Sequence, residues 1–457
     1  MKMKLNFNFI LIATLAAVLV HPGLLLAQER ESLDELRREV AQLRAEIERQ
    51  RAVGQSKERL DELERRIDLL AAELEESRTG GAVEVDPKQA GVYGFAPAAS
   101  KVYRAAKGVS IGGYGEAVYE NYSDARQDGA ASGRTDQFDF VRQIVYVGYK
   151  FDDEILFNSE IEFEHASTGK GGEVSVEFAY VDWKPAKRLG LRAGMVLVPV
   201  GFLNELHEPP IFHGAKRPDV ESAILPSTWR ENGAGLYGDV GPVQWRAYLV
   251  SGLASTGLSA SGIRGARQSG ARSKSEDFGV TGRLDFTGVE GLLVGASFFT
   301  GDSAQGATVD GQGFDADVSL FDVHAQYERG GLQLRALFAK GSVDDVAILN
   351  RANGLTGDKS VGENQYGWYV QGAFDVMTLA GGSRWSVAPF ARYEELDTQD
   401  GVPAGFTDDP ATERSVLTLG VGVKPLANVV FKADYQRHRN QASTGVSQWN
   451  LAVGYLF

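Results

Sequence analysis

The last eleven residues, Ser447-Gln-Trp-Asn-Leu-Ala-Val-Gly-Tyr-Leu-Phe457, alternate between large apolar side chains and small or polar ones. Because successive side chains of a β-strand point to opposite faces, this stretch predicts a strand with one apolar face. In a water-soluble sandwich that face would meet a core, whereas in a transmembrane barrel it would meet lipid and the opposite face would line the interior. The apolar face carries Trp449, Leu451, Val453, Tyr455 and Phe457, and the other face carries Gln448, Asn450, Ala452 and Gly454.

Fifteen more amphipathic segments precede this strand, and the connections between them are alternately short and long. Asp152-Asp-Glu154 and Val240-Gly-Pro242 are short turns, whereas 199–231 and 252–277 are long loops. Bacterial membrane barrels have an even number of strands, with short turns at one end and long loops at the other. The chain therefore predicts an all-β transmembrane fold, a sixteen-stranded antiparallel barrel over 109–457. The predicted strands are 109–121, 137–151, 155–165, 173–184, 189–198, 232–239, 243–251, 278–286, 292–300, 317–328, 332–340, 365–375, 385–395, 415–424, 429–438 and 447–457.

The beginning of the chain predicts export. Lys2 and Lys4 precede an apolar run that starts at Phe9, and the small residue Ala27 comes just before charged residues. This pattern is typical of a secretory signal peptide over 1–27, and the apolar run is too short for a membrane anchor. The chain has no cysteine, so disulfides do not contribute to its stability. Together with the strands, export predicts a location in the bacterial outer membrane.

Residues 28–78 differ from the rest because charge is dense and leucines recur at heptad spacing. Leu33 to Ile47 keep the 3-4 spacing, Leu60 to Leu74 keep it again, and Gly54 lies at the break. The segment predicts a periplasmic coiled coil, either a continuous dimeric or trimeric stalk with a discontinuity or a helical hairpin turning at Gly54. Residues 79–108 follow as a predicted linker.

Strand parity predicts which charged residues face the barrel interior. On 155–165, Ile155 and Phe163 belong to the apolar face, whereas Glu160, Glu162 and Glu164 belong to the polar one. A cationic side chain facing hydrocarbon costs about 2–4 kcal/mol near the midplane, so charged residues are expected inside. There they either select solutes or pair with one another. The same test continues the acidic stripe at Glu173 and Glu177 and places Arg142, Arg192, Arg246, Arg283, Arg335, Arg392 and Lys432 inside.

The loop 199–231 concentrates unusual chemistry, with two of the six histidines in the chain. His207, Glu208 and His213 have ligand chemistry, but their spacing matches no helical metal motif, so we predict no metal site and no cofactor. The basic cluster Lys216, Arg217 and Arg230 forms either a selectivity site or structural ion pairs with Glu221 and Glu231. In another loop, 310–317 resembles a calcium loop without its acidic twelfth position, which predicts a solvated turn. No catalytic motif occurs in a fitting context, so the chain is not expected to be an enzyme.

Five short motifs stand out in the first half of the predicted barrel: Ile111-Gly-Gly-Tyr-Gly-Glu116, Phe140-Val-Arg142, Ala179-Tyr-Val-Asp-Trp183, Arg192-Ala-Gly194 and Val198-Pro-Val-Gly201. With these motifs, this half of the barrel resembles the phosphate-selective porin O and P family. The resemblance implies a trimeric sixteen-stranded porin with an N-terminal coiled coil. It also implies that 199–231, the third long loop, folds inward and narrows the pore. The terminal strand similarly resembles the signal by which the barrel-assembly machinery recognises such proteins.

The expected function is passive diffusion of small hydrophilic solutes or ions across the outer membrane. The resemblance implies a preference for phosphate or other anions, whereas the net charge of -14 favours a general or weakly cation-selective channel. In a further alternative, the coiled coil tethers or organises the cell envelope. The expected partners are membrane lipids, the permeating ions, the assembly machinery and two further copies of the chain, and no nucleic acid.

Overall fold

A computed structural model of the protein describes residues 94–457, except 106, 187 and 382, and four residues before them. The chain divides into two compact units, Met1–Val83 and Glu84–Phe457. The predicted signal peptide 1–27 lies outside the described residues, as do the predicted linker up to residue 93 and nearly all of 28–78. Within the latter segment Arg38, Gln42, Ala45 and Arg65 are described, and they are helical. Among the described residues, no helix is long and apolar enough to cross a membrane.

Sixteen antiparallel strands form one closed barrel, as the sequence predicts. Every predicted strand is present, with ends within about three residues of those expected. Each strand pairs with its neighbours along the chain, and β1 pairs with β18 to close the ring. The barrel strands are β1 (Gly108–Tyr122), β2 (Gln137–Lys150), β3 (Ile155–Glu164), β4 (Val174–Ala186), β5 (Leu189–Leu197), β6 (Arg230–Val240), β7 (Val243–Ser251), β8 (Phe278–Val289), β9 (Leu292–Asp302), β12 (Asp317–Arg329), β13 (Leu332–Val343), β14 (Asn364–Phe374), β15 (Ser386–Asp397), β16 (Arg414–Leu426), β17 (Val429–Asn440) and β18 (Gln448–Leu456).

The connections contain a few short elements. Strands β10 (Thr308–Val309) and β11 (Gln312–Gly313) form a small hairpin in the loop after β9. Asp310 and Gly311 both have positive φ there, as a two-residue hairpin turn requires. The calcium-like stretch is therefore a turn. The described helices are α1 (Lys101–Arg104), α2 (Val220–Ala223) and α3 (Val346–Ala352), and single 3-10 turns lie at 209–211, 255–257, 264–266, 357–359 and 376–380.

The two faces of the strands follow the predicted parity. On β3, Asn158, Glu160 and Glu162 are buried on the inner face. Ile155 and Phe163 lie on the outer face, with 36% and 43% of their surface exposed. Glu173 differs from the prediction, because it precedes β4 and is exposed in the loop, whereas Glu177 is fully buried. A β-bulge opposite Glu160 and Ile161 shifts the parity of β4 at this point.

The terminal strand completes the ring. Its polar residues Gln448 and Asn450 are buried inside, while Trp449 is 43% exposed on the outer face. Beyond the strand, the backbone N–H of Phe457 donates to the Gly113 carbonyl at 2.9 Å, and Gly113 N–H donates to the Phe457 carbonyl at 3.0 Å. The Phe457 ring lies against Gly113, where a Cβ atom would be only 2.8 Å from it. The last residue therefore extends the seam between the first and last strands.

Deletion of Phe457 is expected to impair barrel assembly before it alters the finished structure. The deletion removes two backbone hydrogen bonds of the seam, each contributing about 1 kcal/mol, together with the aromatic terminus. The yield of heat-modifiable folded barrel in membranes is the measurement, and Leu379→Ala, on the exposed turn before β15, is a matched loss of an exposed apolar side chain. An unchanged yield after deletion would contradict this role of Phe457.

The described end of the predicted linker has a packing role. Residues 94–104, the N-terminal segment, lie against the inner faces of β3, β4 and β5. The ring of Phe95 is 1% exposed and stacks on Tyr180 with centroids 5.6 Å apart. The guanidinium carbon of Arg192 lies 4.5 Å from the centre of the Phe95 ring and 4.7 Å from that of Tyr180. A simple linker over 79–108 is therefore wrong for this part, because its apolar residues bury themselves inside the barrel.

Candidate functional site

The loop between β5 and β6, residues 198–229, crosses the barrel interior; we call it the inward loop. Its backbone and side chains contact the inner faces of strands on all sides. Gly201 N–H donates to Asp322 on β12 at 3.1 Å, and Ala215 N–H donates to Asp434 on β17 at 2.5 Å. Lys424 Nζ, near the short turn after β16, donates to the Pro210 carbonyl at 2.6 Å. The loop therefore starts at the long-loop end of the barrel and reaches its short-turn end.

Asn204 closes the base of the inward loop. Its side-chain amide donates to the carbonyls of Val198 at 2.5 Å and Trp229 at 2.8 Å, and its oxygen accepts from Trp229 N–H at 2.5 Å. Val198 N–H also donates to the Trp229 carbonyl at 3.0 Å. Both stems of the loop are thus joined through one buried side chain.

Glu221 fixes the middle of the inward loop. Its carboxylate is 1% exposed and accepts hydrogen bonds from the backbone N–H groups of Phe202 at 2.7 Å and Leu203 at 2.6 Å. The Tyr369 hydroxyl on β14 donates to the same carboxylate at 2.6 Å. Neither Glu221 nor Glu231 forms an ion pair with the basic cluster among the described residues, so that alternative for the cluster is wrong. Glu231 instead accepts from Ser251 Oγ at 2.9 Å.

Three arginines predicted to line the pore are covered by protein. Arg192 and Arg392 are each 1% exposed and Arg283 is 4% exposed, so they do not contact the open lumen. Arg192 is paired with Asp182 at 3.1 Å under the N-terminal segment. Arg283 is paired with Asp285 at 2.7 Å, and Arg392 with Glu394 at 2.8 Å. The pore-lining prediction is wrong for these residues because the inward loop and the N-terminal segment fill the space in front of them.

Two glutamates of the acidic stripe are also covered by protein. Glu160 and Glu162 are 0% and 2% exposed beneath the inward loop, so a pore-lining role is wrong for both, while Glu164 is half-buried near the long-loop end. Arg142 pairs with Glu162 at 3.0 Å and with Glu116 at 2.9 Å. Arg246 is 6% exposed and pairs with Glu205 of the inward loop at 3.0 Å. The Arg246 pair therefore joins the inward loop to the wall, whereas the two Arg142 pairs join neighbouring strands of the wall.

The six residues predicted for the constriction do not form one site, although His207 and Arg230 both contact Glu177. Arg230 is the first residue of β6, because it pairs with Leu197 of β5. Its guanidinium forms an ion pair with Glu177 at 3.2 Å. His207 is 2% exposed next to β3 and β4, and its burial lowers its pKa to about 4. His213 lies against β13 and β15, where its ring stacks on Phe390 and its Nε2–H donates to Gln333 Oε1 at 2.8 Å.

Glu208 fastens the N-terminal segment to the inward loop. Its carboxylate accepts from Ala98 N–H and Ala99 N–H, each at 3.0 Å. Burial raises the pKa of Glu208 to about 7, while these two donors oppose the shift. Among the predicted constriction cations, Lys216 is exposed and Arg217 is half-buried, and both line a cavity of the interior. Lys216 is ion-paired with Glu120. Nε and Nη2 of Arg217 have no hydrogen-bond partner among the described residues.

Phe212 of the inward loop borders two cavities of the interior. The cavity towards the short-turn end has a volume of about 300 Å³, and the cavity towards the long-loop end has about 440 Å³. In the first, the basic residues Arg335, Arg384, Lys424 and Lys432 outnumber the acidic Glu328 and Asp375. In the second, Arg142, Lys216, Arg217 and Arg264 face Glu116, Glu120, Asp139 and Asp219. The interior beside the loop is therefore not acidic, although the whole chain is.

Several of these lining residues are not among those predicted from the sequence. Lys424 has the inward parity of Thr418 on β16, so the test used for the arginines would have found it. Arg264 lies in the loop after β7, where no periodic signal exists. It donates to the Ser222 carbonyl of the inward loop at 3.1 Å. Phe212 lies under the ammonium of Lys432, 3.7 Å from the ring centre, a contact that only the folded chain creates.

A closed sixteen-stranded barrel with a long loop inside it is the architecture of outer-membrane porins. The anion-selective porin from Comamonas acidovorans has a TM-score of 0.50 with this chain at 12% identity, covering 76% of this chain and 99% of that one. The outer membrane channel DcaP of Acinetobacter baumannii also has a TM-score of 0.50 at 12% identity, covering 76% and 97%. At 12% sequence identity, this similarity supports the fold alone.

The sequence itself shows a family. The chain belongs to the same family as a protein of Aquifex aeolicus (strain VF5) that is described as an uncharacterized protein, with 37% identity over 376 residues. The match covers 80% of this chain and 83% of the relative. No protein-family profile matches the chain.

Proposed function

We propose that this protein is an outer-membrane porin, a passive channel for small hydrophilic solutes. The observation that carries the proposal is the inward loop, beside which cavities with polar and charged walls remain inside a closed barrel. The outer faces of the strands are apolar, with Phe298, Phe321 and Phe338 each more than 36% exposed. Such a barrel places its apolar band in the bilayer and conducts through its polar interior.

We propose further that the channel prefers small anions, in line with its resemblance to the phosphate-selective porin O and P family. The walls near the short-turn end carry four basic and two acidic side chains. Local charge at a narrow section governs selectivity more than the charge of the whole chain, because distant charges are screened within about 10 Å. Backbone carbonyls satisfy the ammonium groups of Lys424 and Lys432 without neutralising them.

Reversal potentials in a planar bilayer with a KCl gradient are expected to have the sign of chloride preference. Replacing Arg217 by glutamate should then reduce the chloride-to-potassium permeability ratio by about twofold or more, because it reverses a charge that no partner neutralises. Lys359→Glu, a charge reversal on an exposed loop, is the matched control and should leave the ratio unchanged. A cation-selective wild-type channel would refute the anion preference, and the absence of conductance would refute the channel.

A general or weakly cation-selective channel is the second candidate, favoured by the net charge of -14. The same bilayer experiment separates it from the first. The remaining parts of the proposal rest on the sequence and on its family resemblance: export by a signal peptide over 1–27, a trimer of barrels, a periplasmic coiled coil over 28–78 that also tethers the envelope, and recognition of the terminal strand by the barrel-assembly machinery. Deleting 29–78 while trimers and conductance persist would show that this segment is not needed for the channel.

A further inference from the structure

Three buried side chains meet where the inward loop touches β3 and β4. They are Glu160 of β3, Glu177 of β4 and His207 of the inward loop, with 0%, 0% and 2% of their surface exposed. His207 Nε2 lies 3.1 Å from Glu160 Oε1 and 3.6 Å from Glu177 Oε2. One potential ligand atom from each residue falls within 4.8 Å of the other two. We call these residues the Glu-Glu-His cluster.

The hydrogen bond on the far side of the imidazole orients His207. Its Nδ1 lies 3.0 Å from the backbone carbonyl of Asn204, and a carbonyl can only accept. Nδ1 therefore carries the proton, and in the neutral ring Nε2 presents a lone pair to the two carboxylates. A backbone carbonyl on the second nitrogen is also the usual way in which proteins orient a metal-binding histidine.

The carboxylates of Glu160 and Glu177 also supply acceptor oxygens to the cluster. Glu177 Oε1 is occupied by the Thr228 hydroxyl at 2.5 Å and Arg230 Nη1 at 3.2 Å. Glu177 Oε2 and Glu160 Oε2, however, are buried and have no hydrogen-bond partner among the described residues. Apart from His207, no described cationic side chain forms an ion pair with Glu160. A buried carboxylate without such a partner costs several kcal/mol, so a positive charge between Glu160 and Glu177 would stabilise the cluster.

We infer that the Glu-Glu-His cluster binds a divalent transition-metal ion, with Zn²⁺ as the best fit. Ligand bonds of about 2.0–2.2 Å in tetrahedral geometry separate donor atoms by about 3.4 Å. The distances from His207 Nε2 to Glu160 Oε1 and Glu177 Oε2, 3.1 and 3.6 Å, lie on either side of this value. One imidazole nitrogen and two carboxylate oxygens suit Zn²⁺ or Mn²⁺, whereas Ca²⁺ and Mg²⁺ favour oxygen ligands alone.

A further oxygen lies next to the cluster. The ring of Tyr114 packs edge-on against His207, with centroids 5.9 Å apart, and its buried hydroxyl has no partner among the described residues. The ion ties the inward loop to β3 and β4 at the point where the chain turns away from the wall. The ligands come from three separate elements, so no local sequence spacing reveals the site.

Metal content of the purified full-length protein tests this inference. After chelator treatment, the wild type is expected to take up one Zn²⁺ per chain and to gain thermal stability. Glu160→Gln and His207→Gln should lose both effects, and the heat-modifiable mobility of the barrel confirms that each variant folds. His165→Ala removes an exposed histidine that pairs with Asp139 at 2.8 Å, so it controls for surface binding and should keep the site.

Two outcomes would overturn the inference. Absence of stoichiometric Zn²⁺ in the wild type would do so, as would its retention in Glu160→Gln. A proton shared by the two glutamates is the alternative, and it predicts that Glu160→Gln melts higher than the wild type with no response to Zn²⁺ in either protein. Because metal binding is measured without conductance, failure of the site and failure of the channel proposal are separate results.

Discussion

Excision of the inward loop is expected to raise the single-channel conductance by about twofold or more, because the loop fills most of the lumen. The design replaces 200–227 by a short Gly-Ser linker. The stems permit this, because Val198 N–H already bonds to the Trp229 carbonyl at 3.0 Å. Ion selectivity should weaken at the same time, since Lys216 and Arg217 are removed and the wall is no longer close to the permeating ion.

Shortening the loop 344–363, which contains α3, provides the control for this experiment. That loop lies at the long-loop end and packs on its neighbours, with Asn353 donating to the Ser255 carbonyl at 2.8 Å. Its shortening should leave the conductance within the variation of the wild type. If excision of the inward loop left the conductance unchanged as well, the loop would not limit the current.

Replacing Glu221 by alanine is expected to release the inward loop without unfolding the barrel. The change leaves the N–H groups of Phe202 and Leu203 and the Tyr369 hydroxyl without their buried acceptor. Loss of such charge-assisted hydrogen bonds destabilises the packed loop by about 3 kcal/mol. The fraction of molecules with a released loop should therefore rise on the order of a hundredfold. Limited proteolysis within 202–225 and the frequency of current fluctuations in single channels are the two measurements.

Glu221→Gln is the conservative control. Its amide oxygen can still accept from the two backbone N–H groups, while its amide nitrogen can donate to the Tyr369 hydroxyl, which is able to accept. Protection of the loop should therefore be largely restored. If alanine and glutamine behaved alike, the negative charge itself would be required; if alanine had no effect, other contacts would hold the loop.

The barrel could be predicted from the sequence because its signals are local and repeated. Alternation of side chains along 155–165 or 447–457 directly reflects the two faces of a strand, and a short connection such as 152–154 forces adjacent strands to pair. Strand parity also determines which side chains face the barrel interior, and it correctly assigns Arg142, Arg246 and Arg335 to the inner face. The predicted and observed strand ends differ only slightly. The most important difference concerns Arg230, which belongs to β6 rather than to the loop.

Only the tertiary structure decided which inward residues meet solvent. Parity assigns Arg192 and Arg335 the same face, but Arg192 lies under Phe95 while Arg335 borders a cavity. That difference depends on where the inward loop and the N-terminal segment run, and neither has a periodic pattern that predicts its path. The Glu-Glu-His cluster likewise depends on the fold. Its two glutamates are 17 positions apart and Glu177 and His207 are 30 apart, so only the folded chain brings their acceptor atoms together. The sequence determined the wall of this protein, because walls follow from local periodicity, whereas the interior follows from long-range contacts that the closed barrel alone creates.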